Sequence, residues 1–237
     1  EWFAMVQEEI AQEAIAPVRY YTTGLNAWRE SQEWPPPGLS PTTMYLAPSG
    51  EGRGAGHLLW RQQPPPMDAV SYQYDPANPT PSLGGVSLGH GAGMERQNDL
   101  YLRADLLVFT SAPLNEAIEI SGAPEVTLTV GSTSCSTDFF VKLVDIFPGG
   151  DGFNISEGVV RVADCSRRQK GLAKKTITLP LQPLSRVLFA GHRLQMIITS
   201  SHFPRFERNE RQADVTVHFT ATEPSTITFP MRKQSAL

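Results

Sequence analysis

Over the second half of the chain, apolar and polar positions alternate with a period of two. In EVTLTV, Val126, Leu128 and Val130 fall on one side and Thr127 and Thr129 on the other. TITLPL repeats the pattern with Ile177, Leu179 and Leu181, VTVHF with Val215, Val217 and Phe219, and STITFPM with Ile227, Phe229 and Met231. Successive side chains on a strand project to opposite faces, so these segments predict sheets with one buried and one wet face. DFFVKLVDIF (138–147) departs from the rule, because Phe139, Val141 and Leu143 are apolar and so are Phe140, Val144 and Ile146 opposite them. A strand apolar on both sides is expected to be covered on both sides and to lie centrally. Shorter strands are predicted at VRYYTTG (18–24), TMYLA (43–47), HLLW (57–60), VSYQY (70–74) and LLVFTS (106–111). One segment, EWFAMVQEEIAQEAIA, has helical spacing: Phe3, Val6, Ile10 and Ala14 lie opposite Glu8, Glu9 and Glu13, and Pro17 ends the run.

The turns between these elements carry much of the composition. The 237 residues include 20 prolines and 19 glycines, with prolines clustered in PPPG (35–38), PPP (64–66) and DPANPTP (75–81). Regular short strands joined by proline-bearing connections predict a mainly β chain, a two-sheet jelly-roll sandwich. The prolines at 35–37 mark a boundary: the segment before them reads as helix then strand, and the chain beyond them almost wholly as strand. Forty per cent of residues are apolar, 19% are charged, and the formal net charge is −4. That balance argues against general affinity for nucleic acid or an anionic membrane, and no apolar run approaches the ~20 residues needed to span a bilayer. EWFAMVQEEI has no initiator Met, basic n-region or signal-like apolar block. It reads as a cut end of a longer chain, with the cytoplasm the expected compartment. Cys135 and Cys165 lie symmetrically about the turn expected at 149–152. A cross-strand bridge is open to them, but two free buried thiols are the expected state.

The candidate chemistry centres on GGVSLGHG (84–91), where Gly85, Ser87 and Gly89 form G-x-S-x-G, the spacing of a hydrolase nucleophile elbow. Such an elbow needs an apolar strand leading in and a helix leading out. Here the lead-in is YDPANPTPSLGG, with three prolines, and the exit is HGAGMERQ. None of the histidines at 57, 90, 192, 202 and 218 sits in a setting that marks it as a general base. Ser87 is therefore read as a decoy, and no catalytic residue is expected. SRRQKGLAKK (166–175) reads as a solvated hairpin tip rather than a polyanion patch. HFPRFERNERQ (202–212) reads as a loop pinned by Phe203 and Phe206, with Glu207 and Glu210 neutralising Arg205, Arg208 and Arg211. A guanidinium network clamping the domain interface or a carboxylate is the competing reading. No His, Cys, Asp and Glu cluster has metal-ligand spacing, and no cofactor is expected. Trp2, Trp28, Trp34 and Trp60 fit a seam between domains or a sugar-stacking platform.

Four stretches together carry a resemblance: YDPANPTPSLGG (74–85), DLLVFTSAPLNEAIEISGAPEVTLTVGS (105–132), TDFFVKLVDIFPGGDGFNISEGVVR (137–161) and SRVLFAGHRLQMIITSSHFPRFERN (185–209). In this order and spacing they resemble the C-terminal region of the cocaine esterase / X-Pro dipeptidyl-peptidase family of serine hydrolases, which includes α-amino-acid ester hydrolases and cephalosporin acylases. PVRYYTTGLNAWRESQEWPPPG resembles the junction out of the catalytic domain, and EPSTITFPM the family's final strand. AMVQEEIAQEA departs from the family's usual helix, which carries Trp/Phe-Phe-Asp and a basic residue. The resemblance implies an α/β-hydrolase core and a helical cap upstream. It assigns residues 1–38 to a helix–strand junction left from the hydrolase domain and 39–237 to a jelly roll of galactose-binding-like topology. The catalytic Ser, Asp and His are implied to lie upstream, so the fragment is expected to be inactive by itself. The loop after P-x-x-G-G is implied to reach the hydrolase domain and wall the substrate pocket, which makes Leu88, Gly89 and His90 the expected substrate-binding residues. A plain surface loop with a buried Leu88 is the competing reading. The expected partners are the hydrolase domain of the same protein and a small ester or peptide at the interface, with self-association compatible. A carbohydrate-binding jelly roll without a hydrolase partner is the alternative function.

Overall fold

The computed structural model describes residues 16–50, 54–65, 67–87, 91–165 and 171–233. The predicted N-terminal helix lies outside the described residues. The chain opens with a hairpin of β1 (Val18–Thr22) and β2 (Ala27–Ser31), a two-stranded sheet of its own. Thirteen further strands form one hydrogen-bonded system: β3 (Ser40–Pro48), β4 (Ala55–Leu59), β5 (Ala69–Tyr74), β6 (Leu106–Ser111), β7 (Ile118–Gly122), β8 (Glu125–Ser132), β9 (Ser136–Ile146), β10 (Gly152–Ala163), β11 (Leu172–Pro180), β12 (Leu184–Leu188), β13 (Arg193–Thr199), β14 (Ala213–His218) and β15 (Thr226–Lys233). Their order runs β10-β9-β13-β6-β4-β3-β15-β8-β14-β5, with β11 on β8, and β12 joined through β7 to β15. Every pairing is antiparallel except β4 with β6. Neighbours far apart in sequence, such as β9 with β13 and β3 with β15, are the crossings of a jelly roll.

The period-two segments supply the core, as their pattern requires. Val126, Leu128 and Val130 from β8 meet Phe139, Val141 and Leu143 from β9, and Val215, Val217, Ile227 and Phe229 complete the same cluster. The architecture is the mainly β jelly-roll sandwich expected from the sequence.

β9 is buried along nearly all of its length, but it lies one strand in from the β10 end rather than centrally. Its outward face is closed by chain rather than by a sheet. The long connection between β5 and β6 folds back with a 3-10 turn at Asn98–Leu102, so that Leu83, Leu100 and Tyr101 pack with Val144 and Ile197. Lys142 also points outward and is only 2% exposed. Its ammonium donates to the Leu83 carbonyl at 2.7 Å and Gln97 Oε1 at 2.9 Å. Burial, helped by the Arg205 charge, pushes its pKa down to about 7.

Glu119 on β7 joins the hairpin to the sandwich. Its fully buried carboxylate accepts from Arg29 on β2 at 2.7 Å, from Arg232 on β15 at 2.8 Å and from Ser121 Oγ at 3.0 Å. Burial alone would raise this carboxyl, but the bonds from Arg232 and Ser121 and the Arg29 charge outweigh it and hold it low. The Thr23 amide donates to the Ser185 carbonyl and the Val187 amide to the Thr23 carbonyl. Gly24 is left-handed at φ +83°, and a β-carbon there would run into the Val187 carbonyl oxygen.

The cysteines correct the expectation of free thiols: Cys135 and Cys165 form a disulfide. The β9–β10 register pairs Ser136 with Ala163, so the residues just beyond the hairpin's open end bring the two sulfurs together, with Cα atoms 4.9 Å apart.

Two outcomes are expected. Closing a loop of 30 residues' separation constrains the unfolded chain, so reduction or paired Cys→Ser substitution should cost about 3–4 kcal/mol; a melting temperature indifferent to reductant would contradict this. Lys142 has its ordinary pKa of 10.5 when unfolded and about 7 when folded, so between those values the unfolded chain binds the extra proton. Unfolding free energy should therefore rise between pH 7 and about pH 10. Denaturant midpoints compared with Lys142→Met should show that this rise is lost in the variant.

Candidate functional site

The connection leaving β5 is stitched to the chain after β13 before it reaches the glycines. The Thr80 amide donates to Ser201 Oγ at 2.6 Å, and the Thr80 hydroxyl meets Asp105 and Thr199. The Ser82 amide donates to the Phe203 carbonyl at 2.7 Å. Gly84 and Gly85 then turn the chain at φ +69° and +94°. Gly85 and Gly93 exchange two backbone hydrogen bonds, each 2.8 Å long, and so form the neck of a loop. Beyond the neck Val86 is 67% exposed and Ser87 is exposed. Leu88, Gly89 and His90, the expected substrate-binding residues, lie outside the described residues.

Four ionisable side chains gather behind the neck. Glu157 on β10 accepts from the Val86 amide at 3.3 Å and from Arg205 Nη1 through the same oxygen. Its second oxygen lies 3.6 Å from His202 Nδ1. Lys142 is paired with Glu157 in the strand register. Burial, with the Lys142 charge adding to it, pushes the His202 pKa down to about 3, so the imidazole is neutral at pH 7. A cavity of about 280 Å³ opens beside this group, walled by Phe140, Leu181 and Phe206. A β-carbon at residue 85 would run into Glu157 Oε1 and Arg205 Nη1. The first glycine of the G-x-S-x-G match is thus constrained both by its left-handed φ and by the ion pair behind it.

Among the described residues Ser87 has no catalytic partner. Its amide donates to the Gly85 carbonyl at 3.1 Å, it lies after irregular chain instead of a strand, and among the described residues no imidazole bonds its hydroxyl. An Asp–His pair does exist elsewhere. Asp145 Oδ1 lies 2.7 Å from His192 Nδ1, and its other oxygen accepts two bonds from Arg186. That imidazole packs against the rings of Phe147 and Phe189, and among the described residues no serine hydroxyl bonds it, so the group reads as a buried structural node. Sequence reasoning missed both nodes. The available signal was Lys142 and Asp145, two charges inside a segment otherwise apolar on both faces. Among the described residues no group of three or more His, Cys, Asp or Glu could hold a metal ion.

Phe206 pins its loop as expected, against Phe140 and His202, while Phe203 is 39% exposed under Arg208. The arginines of that loop are not neutralised by Glu207 and Glu210: Arg205 pairs with Glu157, Arg208 donates to the Pro76 carbonyl, and Arg211 reaches Cys135 Sγ. Residues 166–170 lie outside the described residues, and Lys174 makes an exposed pair with Glu223. Trp2 also lies outside them. Trp28 packs on Tyr21, Trp34 on Tyr20 and Trp60 on Phe229, each with a different partner.

Comparison with known proteins agrees with this geometry. The family profile described as the X-Pro dipeptidyl-peptidase C-terminal non-catalytic domain matches residues 11–237. The chain is 32% identical over 221 residues to the cocaine esterase of Rhodococcus sp. (strain MB1 Bresler), covering 88% of this chain and 38% of that protein. It is 33% identical over 150 residues to a putative serine esterase of Mycobacterium bovis, covering 61% of this chain and 22% of the relative. The chain thus spans well under half the length of these relatives. Among solved structures, an aminopeptidase from a marine sediment Thaumarchaeota archaeon superposes with a TM-score of 0.81 at 23% identity, over 98% of this chain and 43% of that one. An α-amino acid ester hydrolase superposes with a TM-score of 0.76 at 24% identity, over 95% and 43%. At those identities the likeness speaks for the fold. With the family profile covering nearly the whole chain, the protein belongs to the X-Pro dipeptidyl-peptidase C-terminal non-catalytic domain family.

Proposed function

We propose that this domain forms one wall of the substrate pocket of a serine hydrolase whose catalytic Ser, Asp and His stand on an α/β-hydrolase domain preceding it. The observation that carries the reading is the loop between Gly85 and Gly93. Its neck is bonded to buried side chains behind it, while Val86 and Ser87 point away from the sandwich. Within that loop Leu88, Gly89 and His90 are the proposed substrate contacts. Leu88 offers apolar surface to an acyl group, and glycine permits close backbone approach. Residues 1–38 are proposed as the junction and 39–237 as the sandwich domain. The exposed Trp28 and Tyr21 on the β1–β2 hairpin, 62% and 41% accessible, suit a seam against the hydrolase domain. The parent reaction is hydrolysis of an ester, or of an amide after proline, through an acyl-enzyme. The Cys135–Cys165 bridge favours a compartment that permits disulfides over the cytoplasm expected from the sequence.

The chain by itself should not turn over an activated ester. In the whole hydrolase, Ser87→Ala should leave turnover within about twofold. Leu88→Ala should lower kcat/KM for a bulky acyl ester by about tenfold, the effect of a lost apolar contact of roughly 1–3 kcal/mol, while an acetyl ester changes little. Activity abolished by Ser87→Ala would overturn the reading.

A further inference from the structure

The cavity beside the four ionisable side chains joins apolar walls to polar atoms without partners. The rings of Phe140 and Phe206 and the side chain of Leu181 form the walls. Glu157 from β10 and His202 from the chain after β13 also line it, with side chains 8% and 2% accessible. Among the described residues Glu157 Oε2 and His202 Nε2 are buried without a hydrogen-bond partner. Such atoms gave up water on folding and gained nothing in exchange, which costs stability. The fold places both residues here. The β9–β10 register pairs Asn154 with Val144 and then Ser156 with Leu143, so one extra residue stands in β10 and Glu157 faces outward with its partner Lys142. His202 is held against Phe140 and Phe206, with ring centroids 5.7 and 6.3 Å away.

The bonding capacity of the two atoms defines what can satisfy them. Paired with Arg205, the Glu157 carboxylate only accepts. The His202 imidazole is neutral, and its Nδ1 faces the same carboxylate at 3.6 Å. That neighbour keeps the ring proton on Nδ1 and leaves Nε2 as an acceptor. The cavity therefore offers two acceptors. Charge narrows the class further. Arg205 offsets Glu157, Lys142 adds positive charge as it protonates, and His202 adds none. A cation would enter surroundings that are neutral to positive, and an anion would bring lone pairs to two acceptors. A neutral N–H donor avoids both penalties. A primary carboxamide carries two such donors on one nitrogen. Its carbonyl oxygen can accept from Arg205, whose guanidinium has N–H groups beyond the one given to Glu157. At about 280 Å³ the cavity has room for one ring-sized body.

We propose that this cavity binds a small apolar primary carboxamide, whose N–H groups bond Glu157 Oε2 and His202 Nε2 and whose body packs among Phe140, Leu181 and Phe206. The site is built from residues of this domain and takes no group from the hydrolase domain.

Benzamide is the probe. The protein is the whole hydrolase with its catalytic serine phosphonylated, which closes the active site. Ligand-detected NMR titration should show saturable binding of benzamide with a dissociation constant on the order of a millimolar. Benzoate and benzamidinium share its shape but carry charge, and each should bind at least about tenfold more weakly. His202→Phe keeps a ring against Phe140 and Phe206 without the Nε2 acceptor, and Glu157→Gln turns one acceptor into a donor. Each variant should weaken benzamide by about tenfold or more, and either decides the matter if the other fails to fold. Glu207→Gln, exposed on the same loop as His202, should leave binding unchanged. Benzamide that does not saturate, or that binds both variants as it binds the parent, would overturn the proposal. Benzoate or benzamidinium binding as tightly as benzamide would overturn it too, because charge rather than donor count would then govern the site.

Discussion

The outward face of β9 must be covered, and the rest of the site depends on how that is done. A strand with Phe140, Val144 and Ile146 outside and Phe139, Val141 and Leu143 inside has no face it can give to water. Among the described residues chain rather than sheet covers it, the long β5–β6 connection over Val144 and Ile146 and the chain after β13 over Phe140. A loop laid over an apolar face brings backbone carbonyls and amides out of water, and each needs a partner. Lys142, Asn154 and Glu157 supply those partners from β9 and β10, and Gln97 supplies them from within the loop. The cover is thereby anchored at defined atoms.

The same constraint accounts for the misleading serine motif. Glycines 84 and 85 are both left-handed and both closely approached, Gly84 by Asn154 and the Gly93 carbonyl and Gly85 by the carboxylate of Glu157 and the guanidinium of Arg205. The G-x-S-x-G match runs over Gly85, Ser87 and Gly89, and its first glycine has these structural reasons of its own. What makes an elbow catalytic is a strand-to-helix turn and a facing imidazole. Here the chain enters through proline-rich loop, and among the described residues no imidazole bonds Ser87.

A second buried carboxylate organises the opposite connection. Glu119 gathers Arg29 from the hairpin and Arg232 from β15, so the short β1–β2 sheet is tied to the sandwich through charge as well as through the backbone bonds at Thr23. The hairpin therefore has a set orientation, and its Trp28 and Tyr21 are displayed outward in company. Three polar nodes, at Glu119, Asp145 and Glu157, sit where irregular or short segments meet the sandwich. The apolar cluster fills the space between.

The sequence by itself determined ten of the fifteen described strands (β1, β3 to β6, β8, β9, β11, β14 and β15), the inward residues of β8, β11, β14 and β15, and the sandwich class. All of these depend on local rules: a period of two, and proline and glycine at turns. It also held the family resemblance, which lies in ordered blocks of residues. Only the tertiary structure decided that β9 is covered by a loop, that Glu157 rather than Glu207 or Glu210 meets Arg205, that Asp145 meets His192, and that the two cysteines are joined. Asp145 and His192 are 47 residues apart in sequence and Glu157 and Arg205 are 48 apart, and strand order and a one-residue bulge in β10 bring them together. Side-chain periodicity carries no record of either, because a bulge changes which way a residue faces without changing what the residue is.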